Sequence, residues 1–364
     1  DRRGRAYRMR LSMSAEDYGV FEIEANSDAY YVYGAKASGV QARPNRPTIP
    51  GQAGDTVAIV LDIPVFRDQD DLLGYYVAVA GSGPGWSSGI LQISLDGGAT
   101  IAKSISVDSE TVFGTTVTAL LPEVSSEYLS DQTLRVNLPA PPASVDREDI
   151  LRYRNLAAIQ HSDGTWEVMQ YQTVTPISDG VYDLTGLVRG RYATKPLEVD
   201  VGAHFVLIHD SMMFAQIQEW MLGQTISYRA ITTGQNPDDV AWQTMTATNP
   251  QTQVEWPVHY AKAIIDPAGN LKLSWIGRGR LGVEISPRHS QFFRGYRVTF
   301  SDGVTVTTLD SLVYRANTPI DLESVTIEPM NYYTGAGPAV TVVPVAVPKV
   351  TIPGIVIDGG EVAP

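Results

Sequence analysis

There is no cysteine among the 364 residues, so neither a disulfide framework nor a thiolate metal site is available. Histidine is scarce. The five are His161, His204, His209, His259 and His289, and His204 and His209 lie five apart on an expected strand, facing opposite sides, so they cannot share a metal. No H-E-x-x-H, G-x-S-x-G or phosphate-cradling loop occurs. No run approaches the roughly 18 apolar residues that a membrane-crossing helix needs, and no signal-peptide pattern opens the chain. Positive charge is in deficit, with 27 Lys and Arg against 40 Asp and Glu and a net charge of −13. A surface that acidic argues against phosphate binding as the main task and reads as a solubility device. These absences leave no catalytic constellation. The expectation is a chain that is not an enzyme and holds no cofactor and no metal.

What is present is strand pattern, on a chain long enough for two to four compact units. The organising stretch is Leu151–Asp210. Apolar runs at Leu156–Ile159, Trp166–Tyr171, Val181–Leu187 and His204–Ile208 alternate with turn residues at Ser162-Asp163-Gly164, Ser178-Asp179-Gly180 and Gly190. That spacing predicts an antiparallel meander, each strand pairing with the one before. The fold class is therefore mainly β, with antiparallel sheets and sandwiches in several domains.

The chain starts Asp1-Arg2-Arg3-Gly4-Arg5 without an initiator Met, which reads as a C-terminal portion of something longer or a processed chain. Residues 1–40 carry two alternating runs, one through Tyr7, Met9 and Leu11 and one at Val20–Ala25, with Ser14–Gly19 as the connection. Such a ribbon is marginal alone and must complete a sheet made elsewhere. Residues 41–53, with Pro44, Pro47 and Pro50, form a semi-rigid connector. Residues 54–253 hold strands at Val57–Ile63, Tyr75–Ala80, Ile90–Ser94, Thr100–Val107 and Thr225–Thr232, with another pair within 108–120. Ser144 is the expected N-cap of a short helical turn reaching Leu151.

The hairpin at Ser94-x-Asp96-x-Gly98-x-Thr100 matches the Asp-box turn of sialidase-like propellers, with Ile101 where the aromatic would stand. The motif fixes a turn through the Asp side chain and carries no chemistry. It occurs once, where a propeller repeats it in every blade.

Residues 254–337 read as a separate module. Pro257-Val258-His259, Leu271–Trp275 and Gly295–Val298 resemble a fibronectin type III sandwich, in which Trp275 and Tyr296 would pack across the core. Residues 338–364 are rich in Val, Ile and Pro, too apolar for a solvated linker and too proline-broken for a helix or central strand. They are expected to extend for about 90 Å at most, lying on a partner chain. Two charged clusters remain. Asp68, Asp70 and Asp71 lack the glycine and distal Glu of a calcium loop and read as a solvated acidic turn. Arg278, Arg280 and Arg288 lie in an expected loop and would meet a carboxylate across a subunit contact.

Several motifs in sequence carry a family resemblance. Asn155-Leu156-Ala157-Ala158 is followed by Trp166-Glu167 and then by Tyr182-Asp183-Leu184-Thr185-Gly186-Leu187-Val188-Arg189-Gly190. Gly202-Ala203-His204-Phe205-Val206-Leu207-Ile208 comes next, and Asp28–Tyr33, Gly223, Tyr228 and Gly234-Gln235 match more weakly. This series resembles the tail-tip, baseplate hub or host-specificity proteins of long-tailed bacteriophages and gene transfer agents, over about residues 7–337. The match departs at Arg191-Tyr192-Ala193-Thr194-Lys195, where the family has Arg-Arg-Gly-Thr-Glu. The resemblance implies structural roles for Trp166, Tyr182, Leu184, Gly186, Leu187, Arg189 and Gly190.

It further implies a virion protein assembled in the host cytoplasm, a homo-trimer that closes the tail tube and carries a central fibre. Its partners would be distal-tail, tube and fibre proteins, with host receptor contact through loops and DNA met only in transit. The other reading is a glycan-binding or glycan-hydrolysing surface protein, drawn from the Asp-box hairpin and from Trp86 and Trp242. It would require repeated boxes or paired acids at glycosidase spacing, and the sequence has neither.

Overall fold

The computed structural model describes residues 54–347, apart from 84, 124–128, 211, 249, 284–285 and 320, together with the backbone of two strands near the N-terminus. Those two, β1 (Met9–Asp17) and β2 (Val20–Ser27), form an antiparallel ribbon with a register shift between Met13 and Ala15. The strands take in Ser14–Asp17, which the sequence pattern assigned to the connection. The ribbon belongs to a unit of its own, residues 1–49. The connector at 41–53 and the Asp28–Tyr33 exit lie outside the described residues.

The next strands are β3 (Thr56–Leu61), β4 (Gly74–Gly81), β5 (Gly89–Ser94) and β6 (Lys103–Val107). Eight strands follow: β7 (Phe113–Thr116), β8 (Leu134–Asn137), β9 (Leu156–Gln160), β10 (Trp166–Gln170), β11 (Thr173–Ser178), β12 (Val181–Thr185), β13 (Val188–Arg191) and β14 (His204–Leu207). Then come β15 (Met213–Gln216), β16 (Thr225–Thr232) and β17 (Gln243–Thr246). The pairing makes this region two folded pieces rather than one. Strands β15-β4-β3 form one sheet and β17-β16-β5-β6 another, whereas β7 to β14 form a single eight-stranded sheet of their own. That sheet is thus an insertion in a sandwich whose strands come from both sides of it in sequence.

Burial explains the run Gly74–Gly81, which does not alternate. Tyr75, Val77 and Val79 enter the sandwich core with Leu91, Ile93 and Ile226. Tyr76 and Ala78 face the opposite way, packing with Ala158, Trp166, Val168 and Val206 of the inserted sheet. A strand covered on both faces has no wet side to alternate with. The inserted sheet obeys the same parity. Ala157, Ile159, Met169 and Phe205 point to its inner core with Leu134, Leu184 and Leu187, away from Ala158 and Val206.

The meander expected over Leu151–Asp210 is not what forms. Of the expected runs only β9 and β10 pair in sequence order; β12 pairs with β11, an additional strand, and with β8, while β13 pairs with β10, and β14 with β9 and β7. Strand β11, at Thr173–Ser178, was not among the expected runs because its residues are mostly exposed and it contains Pro176, which an edge strand tolerates. The short helix α1 (Arg147–Leu151) is capped by Asp146, which accepts from the Asp149 N–H at 2.8 Å, not by Ser144. The Ser144 hydroxyl instead accepts from the Val174 N–H.

The last module is a fibronectin type III-like sandwich. Its strands are β18 (His259–Ile265), β19 (Leu271–Ile276), β20 (Phe293–Phe300), β21 (Thr305–Thr308), β22 (Leu312–Arg315), β23 (Val325–Asn331), β24 (Gly335–Ala336), β25 (Val340–Val342) and β26 (Val345–Ala346). One sheet runs β22-β19-β18-β26; the other runs β21-β20-β23-β24, with β25 also on β23. Trp275 and Tyr296 meet edge to face at 5.2 Å in the core between them. The boundary expected at 337 moves. Residues 340–347 pair within this chain: Val342 pairs with Val325, Val345 pairs in parallel with Ile264, and the Val347 N–H donates to Ile265. Their valines close the module's own sheets. Residues 348–364 lie outside the described residues.

Candidate functional site: two arginine clamps and a groove

The strands β10 and β13 put Glu167 and Arg189 side by side in the interior. Both side chains are fully buried. The guanidinium donates through Nε to Glu167 Oε1 and through Nη2 to Oε2, each at 2.7 Å, and also to the carbonyls of Leu121 and Leu197. Glu167 accepts in addition from the Gly190 N–H at 2.8 Å and meets His161 Nε2 at 3.1 Å. A buried carboxylate is tolerated only when paired and saturated in this way. The Arg-Gly pair of the motif therefore has a physical cause: one residue supplies the fork, the next supplies an amide, and Gly190 at φ 68° lets the backbone turn to present it.

The other structural residues fall around this clamp in layers. Leu184 and Leu187 lie in the inner core, half-buried Tyr182 stands on β12 opposite Val136, and Gly186 at φ 65° turns the chain from β12 to β13. Trp166 lies on the outer face, stacked on His204. Trp275 and Tyr296 belong to the other module and do not join them.

The second clamp ties that module to the sandwich. Buried Arg280 donates to Asp71 Oδ1 at 2.5 Å, Gln253 Oε1 at 2.8 Å, Glu255 Oε1 at 3.3 Å and the Thr252 carbonyl. Ser290 donates to Asp71 and Asn331 to Glu255. Burial pushes the Glu255 carboxyl above the usual carboxylate range, and Arg280 opposes that shift. Asp70 is held by Arg67 and by the Tyr76 hydroxyl, while Asp68 pairs with Arg288. The acidic turn is thus not solvated: Asp70 and Asp71 are buried, and each of the three carboxylates has an arginine. Arg280 and Arg288 do find carboxylates, but in their own chain, whereas Arg278 meets His259 Nε2 at 3.0 Å and lies over the Trp256 ring. Asp71, Glu255 and Glu167 were not among the expected site residues. The only sequence signal for the pairing was opposite charge in two clusters some 210 residues apart.

The Asp-box hairpin satisfies itself. Asp96 accepts from the Thr100 N–H and hydroxyl and from Ser94, which hold its carboxyl down at about 2. Trp242 packs against Gly98 beneath Arg229, and Trp86 donates to Thr56, so neither indole is a loose platform. Among the described residues no group of three or more His, Asp or Glu is placed to hold a metal.

Around Tyr192, where the inserted sheet meets the sandwich and the last module, runs a groove. After Gly190 the chain keeps positive φ at Tyr192 (55°) and Ala193 (60°), in the segment where the motif departs from its family. Buried Tyr192 meets Tyr153 and Trp256 edge to face at 5.5 and 5.8 Å. It lines three adjoining depressions of about 370, 540 and 640 Å³.

Fold and clamps together define a β-rich, multi-module chain, with one arginine locking a sheet from within and a second fastening the final module. Residues 111–206 match the family model described as Rcc01698-like, C-terminal, about a quarter of the chain. The namesake of that family is associated with a gene transfer agent. No curated protein matches the sequence. Among solved structures, the FN1–FN3 domains of chicken CNTN1 are 10% identical, covering 80% of this chain and 99% of that one, with a TM-score of 0.20. The ectodomain of mouse nectin-like molecule 4 (Ig1–Ig3) is also 10% identical, covering 84% and 97%, with a TM-score of 0.17. Likenesses at that level carry no argument, and the fold assignment rests on the strand pairing above.

Proposed function

We propose that this chain is a structural part of the tail tip of a phage or gene transfer agent. It acts as a baseplate-hub component that helps close the tail tube and links it to a central fibre, in three copies, with loops free for host contact. One observation carries the reading. The family match at 111–206 coincides with the inserted sheet, β7 to β14, and takes in both halves of the Glu167–Arg189 clamp. The matched stretch is therefore a whole folded piece. Its buried charges serve cohesion, and the chain is read as a building block without a reaction to perform. The test is native mass measurement of the full chain, with a search for it in tail tips of purified particles. Three copies and a tail-tip location are expected. A protein that stays monomeric at all concentrations and is missing from particles would refute the proposal.

A further inference from the structure

Left-handed backbone is costly for residues with a side chain, and it gathers where a structure clamps something. Six such non-glycine residues occur among the described residues, and four of them, Tyr153, Asn155, Tyr192 and Ala193, line one groove. Its two larger lobes, of about 540 and 640 Å³, share Tyr153 and Tyr192. Each is as large as an ordinary ligand pocket, roughly 300–1,000 Å³.

On this acidic chain the larger lobe is basic. Arg191, Lys195 and Arg278 line it against one carboxylate, Glu123, which already accepts from Ser130 and from Gln132. Arg189 also borders it, but its charge is spent on Glu167. Arg191 lies 4.3 Å over the Tyr153 ring, with its Nε–H buried and without a hydrogen-bond partner. Neither Arg191 nor Lys195 takes part in an ion pair among the described residues. A guanidinium without an ion-pair partner, beside the exposed Lys195 ammonium, matches a carboxylate, which accepts from two N–H groups at once. Tyr153 and Tyr192 line the lobe with Pro122, Pro196, Pro257 and Pro338, and an aromatic-lined groove suits an extended backbone.

We infer that the larger lobe of this groove, apart from the smaller one with its Asp149 and Asp210, takes an extended, carboxylate-bearing peptide segment of a neighbouring chain. The site stands independently of the tail-tip reading. A net charge of −13 repels acidic peptides at large, so saturable binding of one points to this local cluster.

The probe is a fluorescent, terminally blocked hexaglutamate peptide titrated with the full chain at low and physiological salt, with hexalysine and polygalacturonate in parallel. Saturable hexaglutamate binding is expected, weakened by salt and at least tenfold by Arg191→Ala/Lys195→Ala. Lys195→Glu alone alters only an exposed ammonium and should also weaken binding while leaving the melting temperature unchanged. Absence of saturable hexaglutamate binding would overturn the inference, as would equal binding by these variants or preference for hexalysine. Tighter binding of polygalacturonate would overturn it in favour of an acidic glycan.

Discussion

Cutting Arg189 back to alanine would strand Glu167 in the interior with only the Gly190 amide and His161 for company. Two charged hydrogen bonds at 2.7 Å vanish, and the carbonyls of Leu121 and Leu197 lose a donor. Breaking a buried pair by removing one partner costs about 3–5 kcal/mol, because the remaining charge stays desolvated. Against a typical total of about 5–15 kcal/mol, that is a large share. The exposed pair Arg152–Glu148, at 3.8 Å and with both side chains at least 70% exposed, supplies the internal control. Its loss should cost no more than about 1 kcal/mol. The assay is urea unfolding of the full chain followed by tryptophan fluorescence, run as a double-mutant cycle of Arg189→Ala and Glu167→Gln. Each single change should be severe, and the double should fall short of their sum by about 1–3 kcal/mol, since the second removal has less left to break. Additive effects, or an Arg189→Ala variant no weaker than Arg152→Ala, would refute the account of the clamp.

Burial pushes the Asp62 carboxyl up to about 7, with the Gln251 N–H at 2.7 Å opposing the shift. The folded state then binds more protons than the unfolded state between about pH 4 and 7, so this group's stabilisation is present at acid pH and is lost as pH rises through 7. Asp62→Asn should flatten that fall, seen in the difference between variant and parent stability; identical pH profiles would count against it. Arg280→Met leaves Asp71 and Glu255 without their shared cation, and calorimetry should show the last module melting apart from the sandwich; an unchanged thermogram would contradict the fastening role. Trp275→Ala empties the module core and should cost about 3–5 kcal/mol, while a loss under 1 kcal/mol in urea unfolding would mean the Trp275–Tyr296 contact is peripheral. Ala193→Gly relieves a positive φ and should raise stability by roughly 0.5–1 kcal/mol, whereas destabilisation would show that the Ala193 methyl group is needed.

Much of the local structure was legible from residue order, because its causes are local. Strand β16 at Thr225–Thr232, the hairpin closed by Asp96, and the module strands carrying Trp275 and Tyr296 follow from alternation and turn chemistry within a few residues. Opposite charge on the 68–71 and 278–288 segments was visible too, but charge in a sequence carries no address. Only the tertiary structure decided that Arg280 reaches Asp71 in its own chain, that Glu167 and His161 complete the clamp of Arg189, and that β12 pairs with β8 instead of β10. Each of these joins distant segments. Any of the apolar strands has several acceptable neighbours by pattern alone, and the pairing that forms buries the core faces while leaving Glu167, Asp71 and Arg280 partnered.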